Sequence, residues 1–279
     1  MFLREFITIS GILLFLTGIA NSGHAAPAGE ELRFGSVAMD VPTVMHKRLT
    51  PLTQYLSKEL GRPVHLKLAK NMPSAIEDVS LGAVELAYLT PVAYIKSNKK
   101  GNTRLVAKTV TKGRGSFKLM IVVKQDSPIK SLEDLKGRTF AFGDKAALLQ
   151  RAVVVGSGTK LETLGSYKFL GHYDNIVRAV MHGDFDAGIL KDTKAYKWEG
   201  KGIRILYASD DLPPYNITAS NKVSDEMLAK LKKAFLSLDA KNKDHKKIIK
   251  ALDKKYDGFA ATSDAEYDVV RKLVAPFNE

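Results

Sequence analysis

The chain has no cysteine and a single tryptophan. The first absence excludes disulfides, iron–sulfur ligation, thiol catalysis and a lipid-modified N-terminal cysteine. There is no Gly-x-Ser-x-Gly run, and the six histidines show no metal-ligand spacing on one helix face. The stretches Lys112-Gly113-Arg114-Gly115 and Gly200-Lys201-Gly202 read as turns and fall short of a phosphate-cradling loop. Past residue 26 no stretch is long and apolar enough to cross a bilayer. These absences leave no catalytic constellation and no cofactor as the expectation. An exported enzyme is the rival from another class, and it would have to show turnover.

What is present begins at the N-terminus. Arg4 precedes the apolar run Phe6 to Leu16, and small residues lead to Gly23-His24-Ala25-Ala26. This is the order of a secretory signal peptide, so residues 1–25 are expected to be removed after Ala25, leaving the protein periplasmic. A membrane anchor is the alternative, for which the apolar core is short of the ~20 residues a span needs. The net charge is +13. Basic chains often bind nucleic acid, but export argues against that partner. The lysines spread along polar helix faces, as at Lys230, Lys232 and Lys233 and again from Lys241 to Lys255.

Periodicity then organises the mature chain. Glu31 to Val37, Val64 to Leu68 and Val84 to Leu89 read as strands, separated by helices over roughly 44–60 and from Pro73 to near Gly82. Thr90-Pro91 caps and starts a further helix. Strands at Leu105 to Val110 and Phe117 to Val123 flank the turn at 112–115. A second α/β series follows: a short helix at 131–136, strands at 139–142, 167–170, 186–190 and 203–207, and helices at about 145–155 and 175–182. The tail from about Val223 reads as helical, with Ser224 as a cap and Ser263 with Glu266 as a capping box. The expectation is two doubly wound, Rossmann-like α/β lobes joined by a two-segment hinge. Lobe one takes 31–113 plus 215–279 and lobe two takes 114–214.

In such lobes ligands bind at the C-terminal ends of the strands, where helix N-termini point. That geometry selects Met39, Asn71, Met72, Leu89, Thr90, Lys145, His172, Tyr173, Lys191 and Tyr215 as ligand-binding candidates. Met39, Met72 and Leu89 are apolar walls or core. Thr90 and Asn71 are helix caps or hydroxyl and amide contacts. Lys145 and Lys191 are surface charges or partners of an anion. Tyr173 and Tyr215 are ring walls or surface aromatics, and His172 is a contact or a structural imidazole.

Asp126-Ser127-Pro128-Ile129-Lys130-Ser131-Leu132-Glu133-Asp134-Leu135-Lys136-Gly137-Arg138-Thr139-Phe140-Ala141-Phe142-Gly143-Asp144 resembles the start of lobe two in type II periplasmic solute-binding proteins. Gly171-His172-Tyr173-Asp174-Asn175 with Ala179-Val180, then Gly183-Asp184-Phe185-Asp186-Ala187-Gly188, is similar to their phosphate/phosphite/phosphonate branch. The resemblance implies a non-enzymatic carrier of a small ligand for an ABC importer, with a permease as membrane partner. A membrane sensor is the alternative partner for the same fold. After Gly143-Asp144 the branch usually carries Ser-Thr-Ser-Gly, whereas this chain has Lys145-Ala146-Ala147-Leu148-Leu149-Gln150. The usual oxyanion loop is altered, and three ligand readings stay open: an anion met by Lys145, Lys191 and His172; a more apolar organic solute between Met72, Leu89 and Leu148; or loss of tight binding.

Overall fold

The computed structural model describes residues 31–36 and 42–277. The signal-like segment and Met39 lie outside the described residues. The first sheet begins with β1 (Leu32–Ser36), β2 (Val64–Leu68) and β3 (Leu86–Leu89), which run parallel. Between them lie α1 (Pro42–Leu60) and α2 (Met72–Ser80). Every side chain of β3 is buried, and the two-residue period of a strand divides them. Leu86 and Tyr88 join the core that α1 covers; Ala87 and Leu89 join Ala75 and Val79 of α2 on the other face. Helix α1 buries Met45, Leu49, Leu52 and Leu56, a single stripe at helical spacing.

Thr90 accepts a hydrogen bond from the Ala93 amide and so starts α3 (Pro91–Gly101), which leads to β4 (Arg104–Thr111). From there the chain enters the second lobe. Its strands are β5 (Leu119–Lys124), β6 (Thr139–Phe142), β7 (Ser166–Phe169), β8 (Ala187–Lys191) and β9 (Ile203–Ala208), in the order β7-β6-β8-β5-β9. β6 is parallel to β7 and β8, while β5 is antiparallel to β8 and β9. Helices α4 (Leu148–Gly156), α5 (Tyr173–His182) and α6 (Asp192–Trp198) cover it. The expected short helix at 131–136 is a single 3-10 turn, Glu133–Leu135. There the Asp134 carboxylate accepts the Lys130 and Ser131 amides.

The chain returns to the first sheet through β10 (Asn216–Ala219), which lies between β3 and β4 and is antiparallel to both. Two helices follow, α7 (Asp225–Leu236) and α8 (Lys243–Leu252), and then β11 (Tyr256–Ala260), antiparallel to β4 at the sheet edge. Both sheets are therefore mixed: in the first the returning strands β10 and β11 run opposite to the rest, and in the second the entering strand β5 does. The two crossing segments pair with each other: the Phe117 and Leu212 amides each donate to the other's carbonyl, at 3.0 and 2.8 Å.

The C-terminal end does not stay with lobe one, where the span 215–279 would put it. Helix α9 (Asp268–Val274) packs on α4, and Val270 and Val274 enter the lobe-two core beside Val153. Leu273 lies over Gly156, so close that a β-carbon there would come within 2.3 Å of it. The same segment holds α3 of lobe one. The Tyr94 hydroxyl donates to Asp264 at 2.6 Å, and Arg271 pairs with Asp264 and Asp268. Burial pushes the Asp264 carboxyl upward, but the bonds from Arg271 and Tyr94 outweigh it and hold the group below its usual range.

Candidate functional site

Four helices start at one place between the lobes. The first turns of α2 and α3 come from lobe one, and those of α4 and α5 from lobe two. They surround a cavity of about 400 Å3. Each such end carries amides without intrahelical partners and the positive pole of the helix dipole. The wall is nevertheless mostly apolar. Met72 and Ile76 of α2, Val92 of α3, Phe117 and Leu148 supply most of it.

The polar groups on the wall are few: Lys96 of α3 is exposed, and others are engaged within the protein. Thr90 uses its oxygen as the α3 cap. At the start of α4 the Asp144 carboxylate accepts the Ala146 amide at 2.8 Å, and the Asp144 carbonyl accepts the Ala147 amide at 3.0 Å. The Leu148 amide donates to the Ala146 carbonyl at 2.9 Å. Three amides of this loop are thus bonded within the loop itself. Gln150, buried in the wall, accepts the Gly143 amide at 2.8 Å and reaches the Tyr173 hydroxyl at 3.4 Å. Gly143 permits this: a β-carbon there would meet the Gln150 amide at 2.8 Å.

Tyr173 and Tyr215 face the cavity from lobe two and the crossing segment. Burial raises each phenol to about 12, so both are neutral hydroxyls at physiological pH. Tyr215 stacks on Tyr88 with ring centres 5.2 Å apart, and the Tyr88 hydroxyl shares a 2.6 Å hydrogen bond with that of Tyr256. The aromatic wall is thereby anchored in the lobe-one core.

Of the residues selected from the sequence, Met72, Thr90, Tyr173 and Tyr215 come together on this wall. The others fall elsewhere. Asn71 caps α2 by accepting the Ser74 amide, with its side chain exposed beside the cavity. Leu89 is wholly buried among Ala75, Val79 and Val84, on the α2-facing side of the sheet. Lys145 is exposed on the loop before α4. His172 is at the N-cap position of α5 but makes no side-chain capping bond and is exposed outside the wall. Lys191 lies one ring behind the wall, its ammonium 4.6 Å from the centre of Phe117, and burial lowers its pKa. Phe117, Ile76 and Gln150 were not selected. Only Gln150 carries a signal, and a weak one, since it shares the otherwise apolar stretch from Leu148 to Val155 with Arg151. Among the described residues no group of three or more histidine, aspartate or glutamate side chains could hold a metal ion.

Comparison with known proteins adds a family. Residues 34–267 match the model described as "ABC transporter, phosphonate, periplasmic substrate-binding protein". The phosphate-import protein PhnD of Mycolicibacterium smegmatis is 26% identical over 252 residues, 80% of this chain and 78% of that one. Among solved structures, XAC2383 from Xanthomonas citri bound to ATP superposes with a TM-score of 0.72 at 18% identity, covering 88% of this chain and 96% of that one. PhnD1 from Prochlorococcus marinus in complex with methylphosphonate gives a TM-score of 0.67 at 20% identity, covering 89% and 98%. These structural likenesses establish a common fold.

Proposed function

This chain belongs to the family of periplasmic substrate-binding proteins of phosphonate ABC transporters, and on that premise we propose that it carries an organic solute with an apolar body and one polar head. The family's fold is the type II periplasmic binding protein, and its members bind small ligands and work with an ABC permease rather than as enzymes. The observation that carries the proposal is the start of α4. Ala146, Ala147 and Leu148 offer no hydroxyls there, and their amides are bonded within the loop. Among the described residues the one cation lining the cavity is the exposed Lys96 of α3, a single charge, so a doubly charged oxyanion would find too few free donors to replace its water.

The rest of the wall suits an apolar body. Met72, Ile76 and Phe117 would cover it, and the Tyr173 and Tyr215 rings would close the ends. The polar head would meet the two phenol hydroxyls, Thr90 and the Gln150 amide. Lys191 behind Phe117 would favour a single negative charge on that head. His172 and Lys145 would contribute only if the lobes closed further over the ligand. Export places the carrier in the periplasm, with Ala26 as the first residue of the mature chain. N-terminal sequencing of the protein from its own host checks this, and a mature form beginning at Met1 would refute it.

Calorimetric titration with 2-aminoethylphosphonate tests the ligand class. Each buried polar group left without a partner costs about 1–3 kcal/mol, so several such losses are expected to weaken binding to about the millimolar range. Submicromolar affinity would overturn the proposal. Native mass spectrometry of the purified protein is expected to show a retained organic molecule instead.

A further inference from the structure

We propose that the α7–α8 face of lobe one is a docking surface for an anionic phospholipid membrane. Residues 222–255 hold eleven lysines against five carboxylates, so this stretch carries six of the thirteen excess charges of the chain. Lys230, Lys247 and Lys250 pair with Glu226, Asp244 and Asp257. Lys232, Lys233, Lys241, Lys243 and Lys246 are exposed and have no carboxylate partner among the described residues. The apolar side of α8 cannot serve as the contact, since Ile249 and Leu252 are buried in the core beneath it.

The chemistry of the face selects the partner. Interfaces with proteins are enriched in arginine and exposed aromatics and depleted in lysine. Nucleic-acid surfaces likewise favour the bidentate guanidinium. Residues 222–255 have no arginine, and their one phenylalanine, Phe235, is fully buried. What projects is flexible point charge, which lipid headgroups accept in any arrangement. One apolar group accompanies it: Leu236 is 45% exposed and shares a helix face with Lys232 and Lys233, four and three residues earlier. A leucine among lysines can enter the headgroup region while the ammoniums stay at its surface.

The fold leaves the ligand site clear of such contact. Helices α7 and α8 pack on the side of the first sheet to which Leu86 and Tyr88 point. The α2 and α3 helices, whose first turns line the cavity, pack on the side of Ala87 and Leu89. A membrane against α7 and α8 therefore meets the flank opposite α2 and α3. Adsorption would hold the carrier close to a membrane-embedded partner without covering that flank.

The test is co-sedimentation of the exported protein, purified from the periplasm, with phosphatidylcholine vesicles that do or do not contain about one-third phosphatidylglycerol. Binding is expected only with phosphatidylglycerol, at about 0.05 M salt, and is expected to be lost at about 0.5 M. The variant Lys232→Glu/Lys233→Glu/Lys243→Glu/Lys246→Glu should bind about 100-fold or more weakly, with its melting temperature retained. The milder set of glutamine replacements at the same four positions should weaken binding in the same direction. Moving the same charge change to lobe two, as Lys130→Glu/Lys136→Glu/Lys160→Glu/Lys168→Glu, should leave most of the binding in place. Equal binding to pure phosphatidylcholine, no binding at low salt, or an equal loss in the lobe-two variant would each overturn the proposal.

Discussion

Replacing Ala146, Ala147 and Leu148 by serine, threonine and serine is expected to tighten methylphosphonate binding about 100-fold or more. The three positions begin α4 and line the cavity; Ala146 is exposed, and Ala147 and Leu148 are half-buried, Leu148 against the lobe-two core. Each new hydroxyl can donate to an oxyanion placed at the positive end of the helix. A hydrogen bond to a charged group contributes about 1.5–3 kcal/mol, so two that form account for the gain. The replacement also acts on the fold. Ala147 is the N-cap of α4 and makes no capping bond. Ala147→Thr on its own is expected to add about 1 kcal/mol of stability, seen as a modest rise in melting temperature without ligand, whereas Leu148→Ser gives up apolar packing on the lobe-two core. Calorimetry of the triple variant beside thermal melts of Ala147→Thr separates the two effects. Unchanged phosphonate affinity in a triple variant that still folds would mean that the cavity excludes phosphonates by shape rather than by missing donors.

The second large effect is structural. Gly101→Val should destabilise the protein by about 3 kcal/mol and lower its melting temperature by roughly 6–12 °C. Gly101 ends α3 against the last turn of α2, and a β-carbon there would stand 2.2 Å from the Ser80 carbonyl oxygen. The obstacle is backbone, which cannot rotate away as a side chain could. The strain therefore separates two helices whose opposite ends both line the cavity. Ligand affinity should fall with stability, unlike the result of a substitution on the wall itself. A thermal melt that matches the parent protein would show that α2 can shift without cost.

The elements that local pattern specifies were legible. Helix α1 announces itself by apolar residues at helical spacing between Pro42 and Gly61. Thr90 and Ser224 are caps whose oxygens accept the amides three residues on, and Ser263 with Glu266 forms its capping box. β10 was not legible. Its sequence, Asn-Ile-Thr-Ala, places Asn216 and Thr218 among wholly buried residues. It is a strand because β3 and β4 offer their edges to it, a fact about residues more than a hundred positions earlier. β11 was hidden for the same reason inside a tail that reads as helical, and α6 inside what reads as a loop after a strand.

The site divides in the same way. The amino-acid sequence by itself determined where strands end and helices begin, because caps, prolines and glycines act within three or four residues of themselves. It therefore indicated which loops approach the ligand, and with them Met72, Thr90, Tyr173 and Tyr215. It could not determine which side chain of such a loop faces inward. Met72 and Leu89 are both apolar residues at strand ends, yet Leu89 shares the strand parity of Ala87 and is core, while Met72 heads a helix and reaches the cavity. Tertiary structure alone decided that Phe117 and Ile76 join the wall and that α9 crosses to the second lobe. These outcomes depend on how segments far apart in the chain are packed together, and a local pattern carries no record of its distant neighbour.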